Sequence, residues 1–184
     1  MSDQTIIEQC APTLAGIKTG SLFSAEFPDR NTAIKEIRDL NKKICKKGLR
    51  AIPIGTQKNR TLIYLYRPAD LCRDFTDPEL LSILKESGYP CENVSACILR
   101  LVKRLAEEKS FPHEVGLFLG YPPCDVRGFM KSPKDGVKFV GYWKVYGDPN
   151  KAKQLFEKYK ICTETFRKNL SLGIPLSQLS VSSM

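Results

Sequence analysis

Segments with the hydrophobic periodicity of amphipathic helices alternate along this chain with short runs of β-branched and aromatic residues. In the clearest helical segment, which Asn93 can cap, apolar residues recur at three- and four-residue intervals from Val94 onward. Asp148 followed by Pro149 is a typical helix start, since proline is favoured at the first helical position. The predicted helices cover 31–47, 77–88, 94–109 and 148–166, and a first helix through residues 6–10 must break near Pro12.

The segments between these helices are typical of β-strands. They cover 21–27, 50–54, 61–66, 115–119 and 137–146, and the polar residues 55–60 predict a hairpin between two of them. Strands that alternate with helices in this way usually form a sheet with helices packed on it. We therefore predict an α/β fold, with α+β as the alternative, in which helices cover a mixed sheet of about five strands.

A length of 184 residues is sufficient for one substantial hydrophobic core, so we expect a single compact α/β domain over residues 1–184. The Ser-rich residues 173–184 are expected to fray. No apolar run approaches the roughly 20 residues that cross a bilayer, and the polar N-terminus lacks the features of a secretory signal. The sequence therefore predicts a soluble, cytoplasmic protein without a membrane segment.

Seven cysteines and one histidine limit the chemistry that the chain can perform. An odd number of cysteines cannot pair completely, and their even spacing differs from that of small secreted domains, which indicates reduced thiols. The sequence contains no Cys-x-x-Cys, and the spacing of Cys91 and Cys97 is not that of metal ligands. We therefore expect neither a zinc module nor an iron–sulfur cluster, and we assign no metal site.

The chain carries 29 Lys and Arg against 20 Asp and Glu, a formal net charge of +9. A basic surface attracts phosphate backbones and acidic proteins, although lysines also solvate outer helix faces and favour helix C-termini. No helix-turn-helix, RNP-like or KH motif accompanies the charge, so we do not expect sequence-specific nucleic-acid binding. The basic residues cluster at 42–50 and along the last predicted helix at positions 151, 153, 158, 160, 167 and 168.

His113 is the only imidazole, so every histidine-dependent mechanism must use it. One interpretation pairs it with a nucleophilic thiol, from Cys10, Cys124 or Cys162, and uses Glu114 to orient the ring. In the interpretation that we favour, His113 and Glu114 begin a buried strand and both side chains are solvated at its edge. Adjacent strand residues point to opposite faces, which excludes joint metal chelation by this pair.

The run from Gly116 to Pro122 predicts a strand, a glycine turn and a short helix. It lacks the glycine motifs of nucleotide sites, and its prolines remove N–H donors that would hold a phosphate. Open α/β sheets commonly bind ligands at the C-terminal ends of strands. A small-molecule pocket bordered by Tyr121, Arg127 and Lys144 is therefore one hypothesis, and close packing of the glycines is the other.

The predicted strand over 137–146 places Tyr142, Lys144 and Tyr146 on one face and Trp143 on the other. Aromatic-rich strands are common, so we favour a core face opposite a half-exposed aromatic face. In the alternative interpretation the face with Tyr142, Lys144 and Tyr146 binds a partner or ligand, and Lys144 contacts an anionic group.

Three segments have a more specific character than these patterns: CAPTLAG at 10–16, HEVGLFLGYP at 113–122 and GYWKVYGD at 141–148. Together with Tyr66-Arg67-Pro68 and the stretches at 125–129 and 159–163, they resemble an uncharacterised bacterial family, domain of unknown function 3793, found mainly in anaerobes. The resemblance covers nearly the whole chain. It implies no established activity, cofactor or partner, and many relatives are expected to carry cysteine at the position of Tyr142.

From these patterns we expect a cytoplasmic protein that binds a small molecule or redox cofactor, of unknown identity, in a pocket lined by the three motifs. One alternative is a non-enzymatic accessory protein whose basic faces dock an acidic redox or iron-handling partner such as a flavodoxin. A second alternative is non-specific nucleic-acid binding. The candidate residues are Cys10 and Cys162 as redox or ligating thiols, His113 and Glu114 for proton transfer or axial ligation, Tyr121 as a pocket residue, and Arg127 and Lys144 as anion contacts.

Overall fold

The structure is a computed structural model that describes residues 1–107 and 110–182. Its helices are α1 (Asp3–Leu14), α2 (Arg30–Ile44), α3 (Pro68–Asp74), α4 (Pro78–Glu86), α5 (Val94–Glu107), α6 (Val115–Phe118), α7 (Pro123–Lys131), α8 (Pro149–Ser171) and α9 (Leu176–Leu179). Its strands are β1 (Gly20–Glu26), β2 (Arg50–Gln57), β3 (Arg60–Tyr66), β4 (Phe139–Val140) and β5 (Lys144–Val145), and a 3₁₀ turn covers Cys45–Lys47. No helix within these described ranges combines the length and the apolar character needed to span a bilayer.

The α/β class predicted from the sequence is confirmed. The three longer strands form an antiparallel sheet in the order β1-β3-β2, and β4 pairs with β5 in a separate ladder, where the sequence predicted one mixed sheet. Lys58 and Asn59 form the turn between β2 and β3 with φ angles of 45° and 63°, as tight hairpin turns require. The hairpin predicted over 55–60 is therefore confirmed.

The long helices predicted from the sequence are confirmed. The signals predicted to begin and end them have the expected geometry. The Asp77 carboxylate accepts from the backbone N–H of Glu79 at 2.8 Å, and Pro78 occupies the first position of α4. Gly48, with φ of 75°, ends the helical segment that contains α2. Helix α1 continues two residues beyond Pro12, and the predicted end of α5 at 108–109 lies outside the described residues.

One predicted strand is wrong, and another is interrupted by a turn. Val115–Phe118 form the helical turn α6, and the amide of Leu119, which follows it, donates to the carbonyl of Val115 at 3.2 Å. All four residues of α6 are buried, so the segment is apolar on every side. Its sequence therefore lacks the alternation of apolar and polar residues that would distinguish a helical turn from a strand. Of the predicted strand over 137–146, only the two-residue strands β4 and β5 remain, joined by residues 141–143.

The described chain divides into two compact units. The first unit consists of Met1–Leu71 and Ile161–Met184, and it contains the three-stranded sheet, α1, α2 and the end of α8. The apolar faces of α1 and α2 pack with β1 and β3 in one core, together with Phe166 and Leu176 from the C-terminal segment. The second unit, Cys72–Lys160, contains α4 to α7, the β4–β5 ladder and the first turns of α8.

A buried arginine joins the two chain segments of the first unit. Arg67 is 1% exposed, and its guanidinium donates to the carbonyls of Thr13, Leu14 and Val181, each at 2.7 Å. The amide of Val181 donates to the carbonyl of Leu14 at 3.0 Å. The C-terminal segment, for which the sequence predicts fraying, is therefore attached to the end of α1 by hydrogen bonds up to Val181.

Candidate docking surface

The two predicted redox thiols belong to the first unit, and both are protonated at neutral pH. Cys10 lies on the buried face of α1 at 0% exposure, and burial raises its pKa to about 12. Cys162 packs against the same core from α8, where burial raises its pKa to about 11. A thiol must ionise to act as a nucleophile or a metal ligand. The environment of both cysteines therefore favours a packing role.

His113 and Glu114 are the predicted proton-transfer pair, and they have different environments in the second unit. The exposed His113 ring contacts the ring of Phe129 edge to face, with centroids 4.8 Å apart. Glu114 is 3% exposed and not solvated as the sequence predicted: its carboxylate pairs with Arg104 and accepts from the Tyr89 hydroxyl at 2.8 Å. These contacts fix Glu114 as part of the interior of the unit.

The three predicted ligand-binding residues of the second unit also have structural partners. Arg127 pairs with Glu86 at 3.1 Å and with Glu79 at 3.7 Å, which connects α7 to α4. The Lys144 ammonium donates to the carbonyl of Pro133 at 2.8 Å. Tyr121 stacks on Trp143 with ring centroids 4.4 Å apart, and burial raises its pKa. These contacts explain all three side chains without a ligand.

The carboxylate of Asp125 organises the segment that carries the GYWKVYGD motif. One oxygen accepts from the Trp143 indole N–H at 2.7 Å, and the other accepts from the backbone amides of Tyr146 and Gly147 at 2.8 and 2.7 Å. Asp125 is buried in α7, and a buried carboxylate is tolerated only where it accepts several hydrogen bonds. The aspartate therefore sets the position of β5 against α7.

The backbone at Gly141 lies directly on the ring of Phe156. A Cβ atom added at Gly141 would lie 2.2 Å from the ring carbon Cε2 of Phe156, far inside van der Waals contact. The amide of Gly141 donates to the carbonyl of Trp143 at 3.1 Å, which closes the turn between β4 and β5. A glycine is therefore required where this turn meets α8, and the glycines of the motif serve close packing.

Replacement of Gly141 by alanine is expected to lower the free energy of unfolding by about 2 kcal/mol, because overpacking a dense core forces side chains from their preferred rotamers. Urea denaturation measures this change. In the double variant Gly141→Ala with Phe156→Leu, the clashing ring atoms are absent. Its loss of unfolding free energy should therefore be smaller than the sum of the losses in the two single variants. Equal stability of Gly141→Ala and the parent protein would contradict the close contact.

The turn and strands held in this way expose apolar side chains. Val140 is 61% exposed and Tyr142 is 53% exposed. The Tyr142 ring rests on Phe156 and Tyr159, with centroids 5.3 and 5.5 Å apart, so its position is determined by the packing beneath it. An exposed aromatic ring on a rigid support is typical of the anchor residues of protein interfaces.

Three exposed lysines, Lys151, Lys153 and Lys158, lie on α8, the helix on which the Tyr142 ring packs. The Lys153 ammonium lies 5.0 Å from the centroid of the Phe139 ring, in a cation–π contact. Residues 131–160 contain eight lysines and three acidic residues, a net charge of +5, whereas residues 72–130 have a net charge of −2. We call the set formed by Phe139, Val140, Tyr142, Lys151, Lys153 and Lys158 the aromatic–lysine surface.

The sequence model of a family described as "Protein of unknown function (DUF3793)" matches residues 6–180. The chain belongs to the DUF3793 family. No curated protein and no solved structure matches this DUF3793 chain. The resemblance stated from the sequence motifs is therefore confirmed. Two residues of the 141–148 motif have structural roles in this DUF3793 protein: Gly141 packs against Phe156, and the Trp143 indole donates a hydrogen bond to Asp125.

Sequence analysis missed the residues that position this surface. Asp125, Phe156 and Tyr159 are separated from the 141–148 motif along the chain, and their contacts with it arise only in the folded unit. The signal that could have found the surface was charge distribution, since the lysine-rich part of the second unit begins just after α7. Among the described residues, no group of three or more His, Cys, Asp or Glu side chains is placed to hold a metal ion.

Proposed function

We propose that this protein is a non-enzymatic docking protein that binds an acidic protein partner through the aromatic–lysine surface. The observation that carries the proposal is the exposure of Val140 and Tyr142, with Tyr142 packed on α8, a helix whose lysines at 151, 153 and 158 are also exposed. The aromatic and aliphatic side chains supply apolar contact area, and the lysines attract and orient an acidic surface. The bacterial cytoplasm is the compartment in which we expect this interaction.

The contacts of the other candidate residues favour docking over a small-molecule or redox-cofactor pocket. Burial raises the pKa of the Cys10 and Cys162 thiols and so disfavours their reactive thiolate forms, and Glu114 is already paired. Arg127, proposed as an anion contact, is bound to two glutamates of α4. A cofactor that used these groups would have to displace partners that they already hold, at the cost of leaving buried polar groups unpaired.

A protein partner is also favoured over nucleic acid. Of the exposed apolar side chains, Val140 is aliphatic and cannot stack with a base, whereas single-strand binding surfaces use rows of aromatic rings. An aliphatic group beside an aromatic ring suits the apolar centre of a protein interface. A flavodoxin, an acidic protein of the redox class, is the probe of choice.

Binding of purified flavodoxin, measured by biolayer interferometry at increasing salt, tests the proposal. The affinity should fall as salt rises, because exposed charges are screened. Tyr142→Ala should weaken binding about tenfold or more through loss of the aromatic anchor. The double variant Lys153→Glu and Lys158→Glu should weaken it by at least about tenfold, which corresponds to about 1.4 kcal/mol.

The matched control is the double variant Lys35→Glu and Arg38→Glu, which makes the same change in net charge on exposed positions of α2. It should leave the affinity within about twofold, because neither side chain belongs to the aromatic–lysine surface. Equal loss in both double variants would indicate a general charge effect and reject the surface. The surface would be assigned to nucleic acid if flavodoxin does not bind while a DNA duplex does, and if the Lys153→Glu and Lys158→Glu changes abolish that DNA binding.

A further inference from the structure

The aromatic–lysine surface is too small to form a stable protein interface by itself. Specific interfaces bury about 800 Å² on each partner and use about 20 residues a side, whereas this surface consists of six. The remaining contact area must come from exposed side chains that adjoin it in the second unit. The ring contacts of that unit indicate one direction in which the surface continues.

Lys144 connects the aromatic–lysine surface to a second group of rings. It is the cross-strand partner of Val140 in the β4–β5 ladder, so the two side chains lie on the same face of that ladder. Its ammonium lies 5.5 Å from the centroid of the Phe129 ring, in a cation–π contact. The Phe129 ring contacts His113 edge to face, with centroids 4.8 Å apart, and the centroid of the Phe111 ring lies 5.9 Å from that of His113. A continuous line of contacts therefore extends from Val140 to Phe111.

The far end of this line is exposed and rigidly supported. Phe111 is 54% exposed, and His113 is also exposed. The carbonyl of His113 accepts from the amide of Gly116 at 3.3 Å, which fixes the backbone before α6. The residues on either side, Pro112 and Glu114, are buried. The contacts of the imidazole with the two phenylalanines are ring to ring, and they engage neither of its nitrogens in a hydrogen bond.

We propose that Phe111, His113 and Phe129, which we call the histidine strip, form a second part of the partner-binding surface, in which the His113 N–H donates to a carboxylate of the acidic partner. This inference rests on the docking function proposed for the aromatic–lysine surface and adds a specificity-determining residue to it. An acidic protein is the favoured occupant, because Lys144 lies between the two parts and its positive charge attracts carboxylates to both. Phe111 supplies apolar contact area beside the hydrogen bond.

Chemical modification reports on His113 directly, because it is the only histidine of the chain. Diethyl pyrocarbonate modifies an accessible imidazole nitrogen, and tryptic cleavage after Lys109 and Arg127 places His113 in one peptide, 110–127, for mass spectrometry. Flavodoxin at about ten times its Kd should slow the modification of His113 about tenfold, since about one molecule in ten then has the ring uncovered. An unchanged rate while flavodoxin is bound would overturn the proposal.

Substitutions test which part of the histidine strip contributes to affinity. His113→Ala should weaken flavodoxin binding about tenfold, because a hydrogen bond to a carboxylate is lost, and His113→Gln, which keeps an N–H donor, should recover part of the loss. Phe111→Ala should weaken binding at least about fivefold through loss of apolar contact. The matched control is Leu99→Ala, which removes a side chain that is 70% exposed on α5 and should change the affinity by less than about twofold.

The histidine strip and the aromatic–lysine surface fail in different ways. Binding that Tyr142→Ala weakens, but that His113→Ala and Phe111→Ala leave unchanged, would overturn the histidine strip and leave the docking function in place. Equal losses of binding in His113→Ala and His113→Gln, together with a lower urea midpoint in both, would show that His113 acts only through folding and would overturn its role. Absence of flavodoxin binding to the unsubstituted protein would reject the docking function and the histidine strip together.

Discussion

Replacement of Arg67 by methionine is expected to lower the free energy of unfolding by about 3 kcal/mol or more, the largest loss that we expect from a single substitution in the first unit. The guanidinium satisfies buried carbonyls at the end of α1 and in the C-terminal segment, and methionine would leave them without donors. Urea denaturation should show the loss. Hydrogen exchange should show faster exchange of the Val181 amide, which donates to Leu14.

Two further arginine variants make this result specific. Arg67→Lys should recover only part of the stability, since one ammonium cannot reproduce the planar fork that reaches carbonyls on separate segments. Arg60→Met removes an exposed arginine that pairs with Glu26 at 4.0 Å, and it should change stability by less than about 0.5 kcal/mol. Equal losses for Arg67→Met and Arg60→Met would contradict the role assigned to Arg67.

Replacement of Asp125 by alanine is expected to reduce stability by about 3 kcal/mol and to abolish flavodoxin binding. Alanine would leave the Trp143 indole N–H and two backbone amides without an acceptor. The β4–β5 segment would then lose its attachment to α7, and Tyr142 would lose its fixed position. Urea denaturation, Trp143 fluorescence and biolayer interferometry measure the three consequences.

Asparagine at position 125 provides a graded control. Its carbonyl oxygen can accept from the amides of Tyr146 and Gly147, but its NH₂ group would face the Trp143 N–H, donor against donor. We therefore expect Asp125→Asn to be intermediate in stability and in binding. Binding that survives Asp125→Ala unchanged would separate the docking surface from the scaffold that we assign to it.

Helices α1, α2, α4, α5 and α8 could be predicted from the sequence because their signals are local, whereas α3 and α9 were not predicted. Asp77 followed by Pro78 is sufficient to predict the start of α4. Gly48 predicts a helix end, because glycine favours the left-handed backbone conformation found there. The segment 115–119 could not be assigned from its pattern, since burial on every side removes the contrast between faces. The packing of the unit decides between a strand and a helical turn there.

The candidate site was less accessible to sequence analysis, for a physical reason. Chemical type suggested Cys10 and Glu114, but burial and paired charge determine whether a thiol or carboxylate reacts, and both depend on distant residues. The spacing of Cys10 from Ile6 and Ile7 on the first helix is a signal that could have marked it as a core residue.

The hydrogen bond from Arg67 to Val181 joins residues 114 positions apart, and this has a consequence for folding during synthesis. The second unit is one continuous stretch, so all of its residues are available before the last segment of the first unit has been made. The core of the first unit and the hydrogen bonds of Arg67 cannot form completely until residues 161–182 have been synthesised. We therefore expect that, during synthesis, the second unit folds before the first, and that the N-terminal sheet stays exposed to chaperones until residues 161–182 have been made.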